Sequence, residues 1–217
     1  MIKALIFDLD NCLFETRSMG NKLLEPLLAV LREAVSSGEM SKALADEITE
    51  VFWTTSLADI IEHYSLSRQL HVKLETAYKD LQVPDGVKLF DDVEVLPELK
   101  PLKILVTSGQ LGFQESKLAK LGVAKYFAEV ILDNTDSGHP RVGKTQIFRD
   151  IMQKYGFGPR ECLVIGDNPV SELKSGKELG MITIQTLRPR VIQVAGYDHY
   201  ITSLHGLPEI ISSYEKR

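Results

Sequence analysis

Long apolar runs are missing from this chain. No stretch approaches the length of a membrane span, and the N-terminal apolar run is too short for a signal-peptide core and leads straight into charge. Basic blocks are missing too. Lys and Arg number 25 against 30 Asp and Glu, for a formal net charge of −5, and no cluster of cations is dense enough to track a phosphate backbone, which argues against nucleic acid as a partner. Cysteine is scarce. Cys12 and Cys162 make neither a disulfide framework nor a zinc signature, and Cys162, inside an apolar run, reads as a small buried hydrophobe. Internal repeats and low-complexity segments are absent. What remains is an ordinary globular composition, 44% hydrophobic and 25% charged over 217 residues, enough for one domain or one domain with an insertion. The expected location is the cytoplasm.

The first thirteen residues organise the rest. Ala4, Leu5, Ile6 and Phe7 form a short β-favouring run, and polar residues follow only at its carboxyl end, in Asp8, Leu9, Asp10, Asn11 and Cys12. Such a run suits a strand buried on both faces of a parallel sheet. Ligands of open α/β sheets bind outside the carboxyl ends of the strands, so two acids placed there are a candidate site. In extended chain, residues two apart share a side, which lets Asp8 and Asp10 address one ligand. A solvated strand end with an Asx turn would give the same pattern, and the rest of the chain has to decide.

From about residue 16 to 81 the periodicity is helical. Leu23, Leu24, Leu27, Leu28, Leu31 and Val35 recur at spacings of three and four, with Pro26 expected to kink or offset that helix. Ser41 opens a second helix towards Trp53. Shorter helices are expected over Leu57 to Tyr64 and Ser67 to Leu81, and Val83-Pro84-Asp85-Gly86 marks the turn out of this small bundle. Thereafter strands and helices alternate. Strands are expected at Lys103 to Val106, Glu129 to Leu132, Cys162 to Ile165, Met181 to Thr186 and Tyr200 to Thr202. Helices are expected at Gln114 to Leu121, Thr145 to Tyr155 and Glu172 to Leu179, closed by Gly122, Gly156 and Gly180. Alternation of this kind specifies an α/β fold, a Rossmann-like parallel sheet with helices on both faces. The expected domains are a core of residues 1–15 and 89–217 and a helical cap of residues 16–88 inserted after the first strand.

The strand ends carry Asp8 and Asp10, then Thr107 and Ser108, then Asp167, with Lys144 opening a helix between the last two. Each type answers a need of phosphoryl transfer. A carboxylate such as Asp8 can attack phosphorus and split one difficult step into two. Asp10 can protonate the leaving oxygen and then activate water. Magnesium takes hard oxygen ligands, which Asp8, Asp10 or the backbone carbonyl beside it, and Asp167 can offer. Thr107 and Ser108 hydroxyls, with the local loop at Asn11, can hold phosphate oxygens, and Lys144 supplies a point charge. Two like charges 4 Å apart repel by roughly 4 kcal/mol at an effective dielectric near 20. Converging acids therefore need cations among them.

The set resembles the haloacid dehalogenase-like hydrolase superfamily in four motifs standing in family order. These are Asp8-Leu9-Asp10-Asn11-Cys12, Val106-Thr107-Ser108-Gly109, Lys144, and Gly166-Asp167 followed by Glu172. The resemblance implies a Rossmann-like core with a helical cap inserted after the first motif. It makes Asp8 the nucleophile, Asp10 the acid and base, Thr107 and Lys144 stabilisers of phosphate and intermediate, and Asp167 a magnesium ligand. Two positions depart from the pattern. Cys12 stands where Thr is usual, and Glu172 stands where a second Asp is common; one methylene longer, Glu172 suits a magnesium-bound water. The acid at Asp10 sets the chain apart from family dehalogenases. Its wording and cap length look like the branch that holds phosphoglycolate phosphatases and pyrimidine nucleotidases.

The implied activity is magnesium-dependent hydrolysis of a small phosphomonoester through an aspartyl phosphate on Asp8, by a monomer or homodimer. A phosphosugar mutase using the same intermediate and a non-catalytic phosphate- or partner-binding member of the fold are the alternatives. Cap residues offered as substrate contacts are Phe14, Arg17, Phe52, Trp53, His63, Tyr64, Arg68 and His71, of which the aromatics read first as bundle core and Arg68 and His71 as solvated face. His139 and Arg141 read as surface loop.

Overall fold

The apolar run Ala4–Phe7 is strand β1, and all four of its residues are buried. It lies between two parallel neighbours, with Phe7 opposite Leu105 on one side and Ile165 on the other. The computed structural model describes residues 1–215. Within it the strands are β1, β2 (Leu102–Gly109), β3 (Glu129–Asn134), β4 (Cys162–Gly166), β5 (Ile182–Thr186) and β6 (His199–Ile201). They form one parallel sheet in the order β3-β2-β1-β4-β5-β6. The order reverses between β1 and β4, and a crevice at the carboxyl ends of the strands on either side of such a reversal is where doubly wound sheets bind ligands. The pleat sorts the core into two faces. Ala4, Ile6, Ile104, Val106 and Val164 point to one side; Leu5, Phe7, Leu105, Leu163 and Ile165 point to the other.

After β1 the chain leaves the sheet through helices α1 (Glu25–Ser36), α2 (Lys42–Val51), α3 (Leu57–His63) and α4 (Arg68–Lys79). Serines start three of them. The Oγ atoms of Ser41, Ser56 and Ser67 accept from the backbone N–H of Leu44, Asp59 and Leu70 at 3.2, 3.2 and 3.1 Å. Pro26 does not kink α1; the helix begins at Glu25, so the proline sits in the first turn, where its missing N–H costs nothing. The apolar stripe of α1 (Leu27, Leu31) packs with Ile48, Ile60, Leu70 and Leu74, and this cluster is continuous with one face of the sheet. The chain returns beside its exit. Phe14 bridges Leu89, and the Phe90 N–H donates to the Leu13 carbonyl at 2.9 Å. The helical insertion after the first strand is thus present, and it is clipped to the core at its two ends.

The remaining helices are α5 (Leu111–Leu121), α6 (Lys144–Tyr155), α7 (Glu172–Glu178) and α8 (Leu207–Ser213). Gly122 and Gly156 close α5 and α6 in the left-handed region, at φ 58° and 66°. Besides several short 3-10 turns, two longer stretches of helix lie outside the expected elements. A 3-10 run over Asp91–Glu98 holds Pro97 and shows no clean apolar period. Helix α8 carries Leu207, Ile210 and Ile211 at helical spacing, with Pro208 in its first turn and Tyr214 at its C-cap, a pattern legible in the sequence. Helix α5 also starts earlier than expected, at Leu111 rather than Gln114, and it buries Phe113, Gln114 and Lys117. Among the described residues no helix is long and apolar enough to cross a membrane.

Candidate active site

Asp8 is the first residue beyond β1, held to the ladder by its N–H on the Ile165 carbonyl at 2.9 Å, and it is buried. Lys144, the first residue of α6, reaches it across the switch point, with Nζ 2.7 Å from Asp8 Oδ1 and 2.8 Å from Glu172 Oε2. All three side chains are buried. Lys144 is aimed by its preceding loop, where the Gly143 N–H donates to Asp133 Oδ1 at 3.1 Å. Asp133, buried at the end of β3, also accepts from Ser108 Oγ at 3.0 Å and from Arg141 Nε at 3.4 Å. One acid therefore fixes the end of β2 and the start of α6 together.

Glu172 folds back from the start of α7 over the end of β4. The Asn168 N–H donates to its Oε1 at 2.7 Å. Only glycine permits this at position 166, since a Cβ there would stand 2.2 Å from Glu172 Oε1. Oxygens of Asp8, Asp167 and Glu172 lie within 4.8 Å of one another. Among the described residues no hydrogen bond reaches the Asp167 carboxylate, whereas both Glu172 oxygens already have donors. The cluster offers oxygen alone, the donor set a hard divalent cation takes.

Burial and mutual repulsion dominate the electrostatics here. Asp8 is pushed up to about 7, chiefly by burial, opposed by Lys144 and aided by Glu172 and Asp10. Burial followed by the charges of Glu172 and Asp8 likewise raises Asp167 well above the usual carboxylate range. For Lys144 burial works against the charge, but Asp8 and Glu172 outweigh it and hold the ammonium protonated. Cys12 is fully buried with Sγ 3.7 Å from the Ile165 carbonyl, and burial with the Asp8 charge pushes its thiol up, so it stays protonated and inert.

Asp10 takes no part in the acid cluster. Its carboxylate turns to α5, where Lys117 Nζ lies 2.7 and 2.9 Å from its two oxygens and Gln114 Nε2 lies 3.2 Å from Oδ2. Gln114 Nε2 also reaches Thr107 Oγ1 at 3.1 Å and the Ser108 carbonyl at 2.6 Å. Neither Lys117 nor Gln114 was picked out from sequence, although their spacing of three in the helix after a Thr-Ser-Gly strand end puts them on one face. Asn11, expected at the phosphate, spends its side chain elsewhere. Its Oδ1 accepts from Thr16 N and Oγ1 at 3.1 and 2.8 Å, and its Nδ2 donates to the Trp53 carbonyl at 3.3 Å. It stands at φ 52°, a left-handed position that Asn tolerates. The side chain thus ties the strand-end loop to the helical insertion.

Above these residues lies a cavity whose floor is Asp8, Asp10, Thr107, Ser108, Lys144 and Asp167 and whose roof includes Met19, Phe52, Trp53 and Tyr78. Of the suggested cap contacts, Phe52 and Trp53 reach this cavity. Arg17 borders an adjoining one and pairs with Glu50. Phe14 is core, Tyr64 donates to Glu47 at 2.8 Å, and His71 lies 3.2 Å from Ser137 Oγ. His63 and Arg68 are exposed and line neither space. Arg141 is no free loop residue. It pairs with Asp59 of α3 while contacting Asp133, bridging insertion and core.

A sequence profile described as haloacid dehalogenase-like hydrolase matches residues 2–180. The chain belongs to that family. It is similar to a glyceraldehyde 3-phosphate phosphatase of Methanocaldococcus jannaschii, 26% identical over 240 aligned positions that cover 100% of both chains. It is also similar to a human N-acylneuraminate-9-phosphatase, 22% identical with 99% of this chain and 95% of that one covered. Among solved structures, the HAD-hydrolase YfnB of Bacillus subtilis, determined bound to magnesium, superposes with a TM-score of 0.58 at 18% identity, covering 97% of this chain and 98% of that one. This last likeness is one of fold. Family membership makes the chain a hydrolase, and the four motifs that suggested the family all stand around the one cavity.

Proposed function

We propose that the chain is a magnesium-dependent phosphoric monoester hydrolase of small phosphorylated metabolites, working through an aspartyl phosphate on Asp8 with residues 16–88 as its cap. The observation that carries this reading is the Lys144 ammonium shared between Asp8 and Glu172 inside the Asp8-Asp167-Glu172 cluster. The phosphatase names of the two curated relatives support it, and both substrates named there are phosphomonoesters.

The steps follow from the residues. Asp8 attacks phosphorus as the ester P–O bond breaks, and Asp10 gives a proton to the departing alkoxide. Asp10 then takes a proton from water as that water attacks phosphorus, which releases inorganic phosphate and restores Asp8. Thr107, Ser108 and Lys144 hold the phosphate oxygens. Asp8 and Asp167, with the backbone beside Asp10, would hold the magnesium ion, and Glu172, its oxygens already engaged, would act through water. When bound, the ion supplies positive charge among the acids and on the phosphate oxygens. Roof residues Phe52 and Trp53 exclude water and face the leaving group.

The test is phosphate release from a panel of phosphomonoesters, with and without magnesium, by the native chain and by Asp8→Asn. Turnover that requires both magnesium and Asp8 is expected. Undiminished turnover in Asp8→Asn would overturn the nucleophile assignment. Phosphate retained on a rearranged sugar product would instead mark a mutase, and binding with no turnover on any phosphomonoester a non-catalytic member.

A further inference from the structure

Lysine is rarely buried without a partner, because an unpaired ammonium is strongly disfavoured in low dielectric. Lys117 is 5% exposed, and its salt bridge goes to Asp10 alone among the described residues. We propose that Lys117, assisted by Gln114, is a positioning residue that fixes the plane of the Asp10 carboxylate for proton transfer to the leaving group. The inference rests on the acid-base reading of Asp10 and deepens it.

The geometry is that of a clamp. A carboxylate rotates freely about its last bond, with only a broad two-fold preference. At Asp10 both oxygens are taken by one ammonium, at 2.7 and 2.9 Å, and a second donor, Gln114 Nε2, stands 3.2 Å from Oδ2. Rotation would break these contacts. The same amide is anchored on Thr107 Oγ1 and the Ser108 carbonyl, so the acid is referenced to the strand end that would hold the phosphate. Phe113 backs the lysine, with Nζ 4.7 Å from its ring centroid. Gly109 makes the approach possible, since a Cβ there would meet Gln114 Nε2 at 2.7 Å. The clamped carboxylate still lines the cavity, with 24% of its side chain exposed. Misplacement by an ångström at such a group costs on the order of a hundredfold in rate.

A lysine that merely stabilises the fold, or one that touches the phosphate, would affect every substrate alike. A lysine that aims the acid matters in proportion to how badly the leaving group needs a proton. The decisive quantity is kcat/KM, which reports events up to departure of the leaving group, measured on p-nitrophenyl phosphate and on the alkyl phosphomonoester turned over fastest. For Lys117→Met we expect a fall of about a hundredfold on the alkyl ester and a fall at least tenfold smaller on the aryl ester. Lys117→Arg should recover part of the alkyl activity. Gln114→Leu should shift in the same direction by less, and it tests the clamp should Lys117→Met not fold. Asp10→Asn is run beside them. Equal losses on both esters in Lys117→Met, with a selective loss in Asp10→Asn, would overturn the positioning role alone. Equal losses in Asp10→Asn would overturn the acid assignment beneath it.

Discussion

Lys144 and Asp8, 136 residues apart in sequence, meet at 2.7 Å in the buried floor of the cavity, with the same ammonium 2.8 Å from Glu172. Replacing Lys144 by Met keeps the length and removes the charge. Breaking a buried ionic group from one side typically costs about 3–5 kcal/mol, because the partner stays buried and uncompensated. Activity should fall by about 10²–10³-fold, the usual loss when one preorganised electrostatic contact to the reacting group is removed. Thermal unfolding and steady-state rates check both. A variant as stable and as active as the native chain would show that the ammonium serves neither the cluster nor the phosphate.

Magnesium should stabilise the protein, and the gain should grow with pH. The Asp8 pKa is raised in the folded state, from 3.8 to about 7. A raised carboxyl binds its proton more tightly folded than unfolded, so its contribution is present below the unfolded value and is lost as pH rises through about 7. Asp167 shifts the same way. The metal-free protein should therefore lose stability between about pH 4 and 7. At a free magnesium concentration a hundredfold above Kd, binding adds about 2.7 kcal/mol, or roughly 5–10 °C in Tm for a chain of this size. Chelation should reverse the gain. A Tm at pH 8 indifferent to magnesium and to chelator would remove the metal from this site.

The strand ends were legible because a parallel strand buried on both faces must be apolar until it reaches solvent. The first polar residues after Phe7, Val106 and Ile165 therefore mark the carboxyl edge. Lys144 was legible from its place at the start of a helix between two such edges. Lys117 was not, since a lone lysine on an amphipathic helix reads as solvated. Its burial comes from packing α5 against the strand ends, where it meets Asp10 and the Phe113 ring. Asn11 shows what spacing leaves open. Its polar side chain beside the acids suggested phosphate, and in the fold, at φ 52°, that side chain bonds to Thr16 and the Trp53 carbonyl while the residue lines the cavity. Spacing could not have paired Arg188 with Asp92, which meet only after the last strands are in place.

That pair carries its own expectation. Arg188 grips Asp92 through two hydrogen bonds of 2.7 and 2.9 Å, donates from Nε to the Cys12 carbonyl at 3.0 Å, and lies 4.2 Å over the Phe90 ring. It therefore braces the loop that bears Asp8 and Asp10 from behind. Burial alone would raise Asp92, but the guanidinium and the Leu204 N–H outweigh it and hold the carboxyl below its ordinary range. A depressed carboxyl stabilises the fold above its unfolded pKa, and that support is lost as pH falls through the folded value. Arg188→Met should cost about 3–5 kcal/mol at neutral pH, with a deficit that shrinks as the pH falls through the lowered folded value, where native Asp92 itself takes up a proton. Acid titration of unfolding in the two proteins checks this. A deficit constant with pH would assign the effect to packing over Phe90 rather than to charge.

Gly166 and Glu172 give the most local test of the site's construction. A methyl group at position 166 would fall 2.2 Å from Glu172 Oε1 and 2.6 Å from its Cγ, and Glu172 cannot swing aside without releasing both Lys144 and the Asn168 N–H. Overpacking of this kind costs about 1–3 kcal/mol, and loss of the Lys144 contact should lower kcat more than tenfold. Shortening the acid makes room. In the double variant Gly166→Ala with Glu172→Asp the carboxylate retracts by one methylene, so stability and rate should recover beyond the sum of the single effects, a coupling above about 0.5 kcal/mol. Additive effects would mean that the glycine is needed for the strand end itself and not for the acid folded over it.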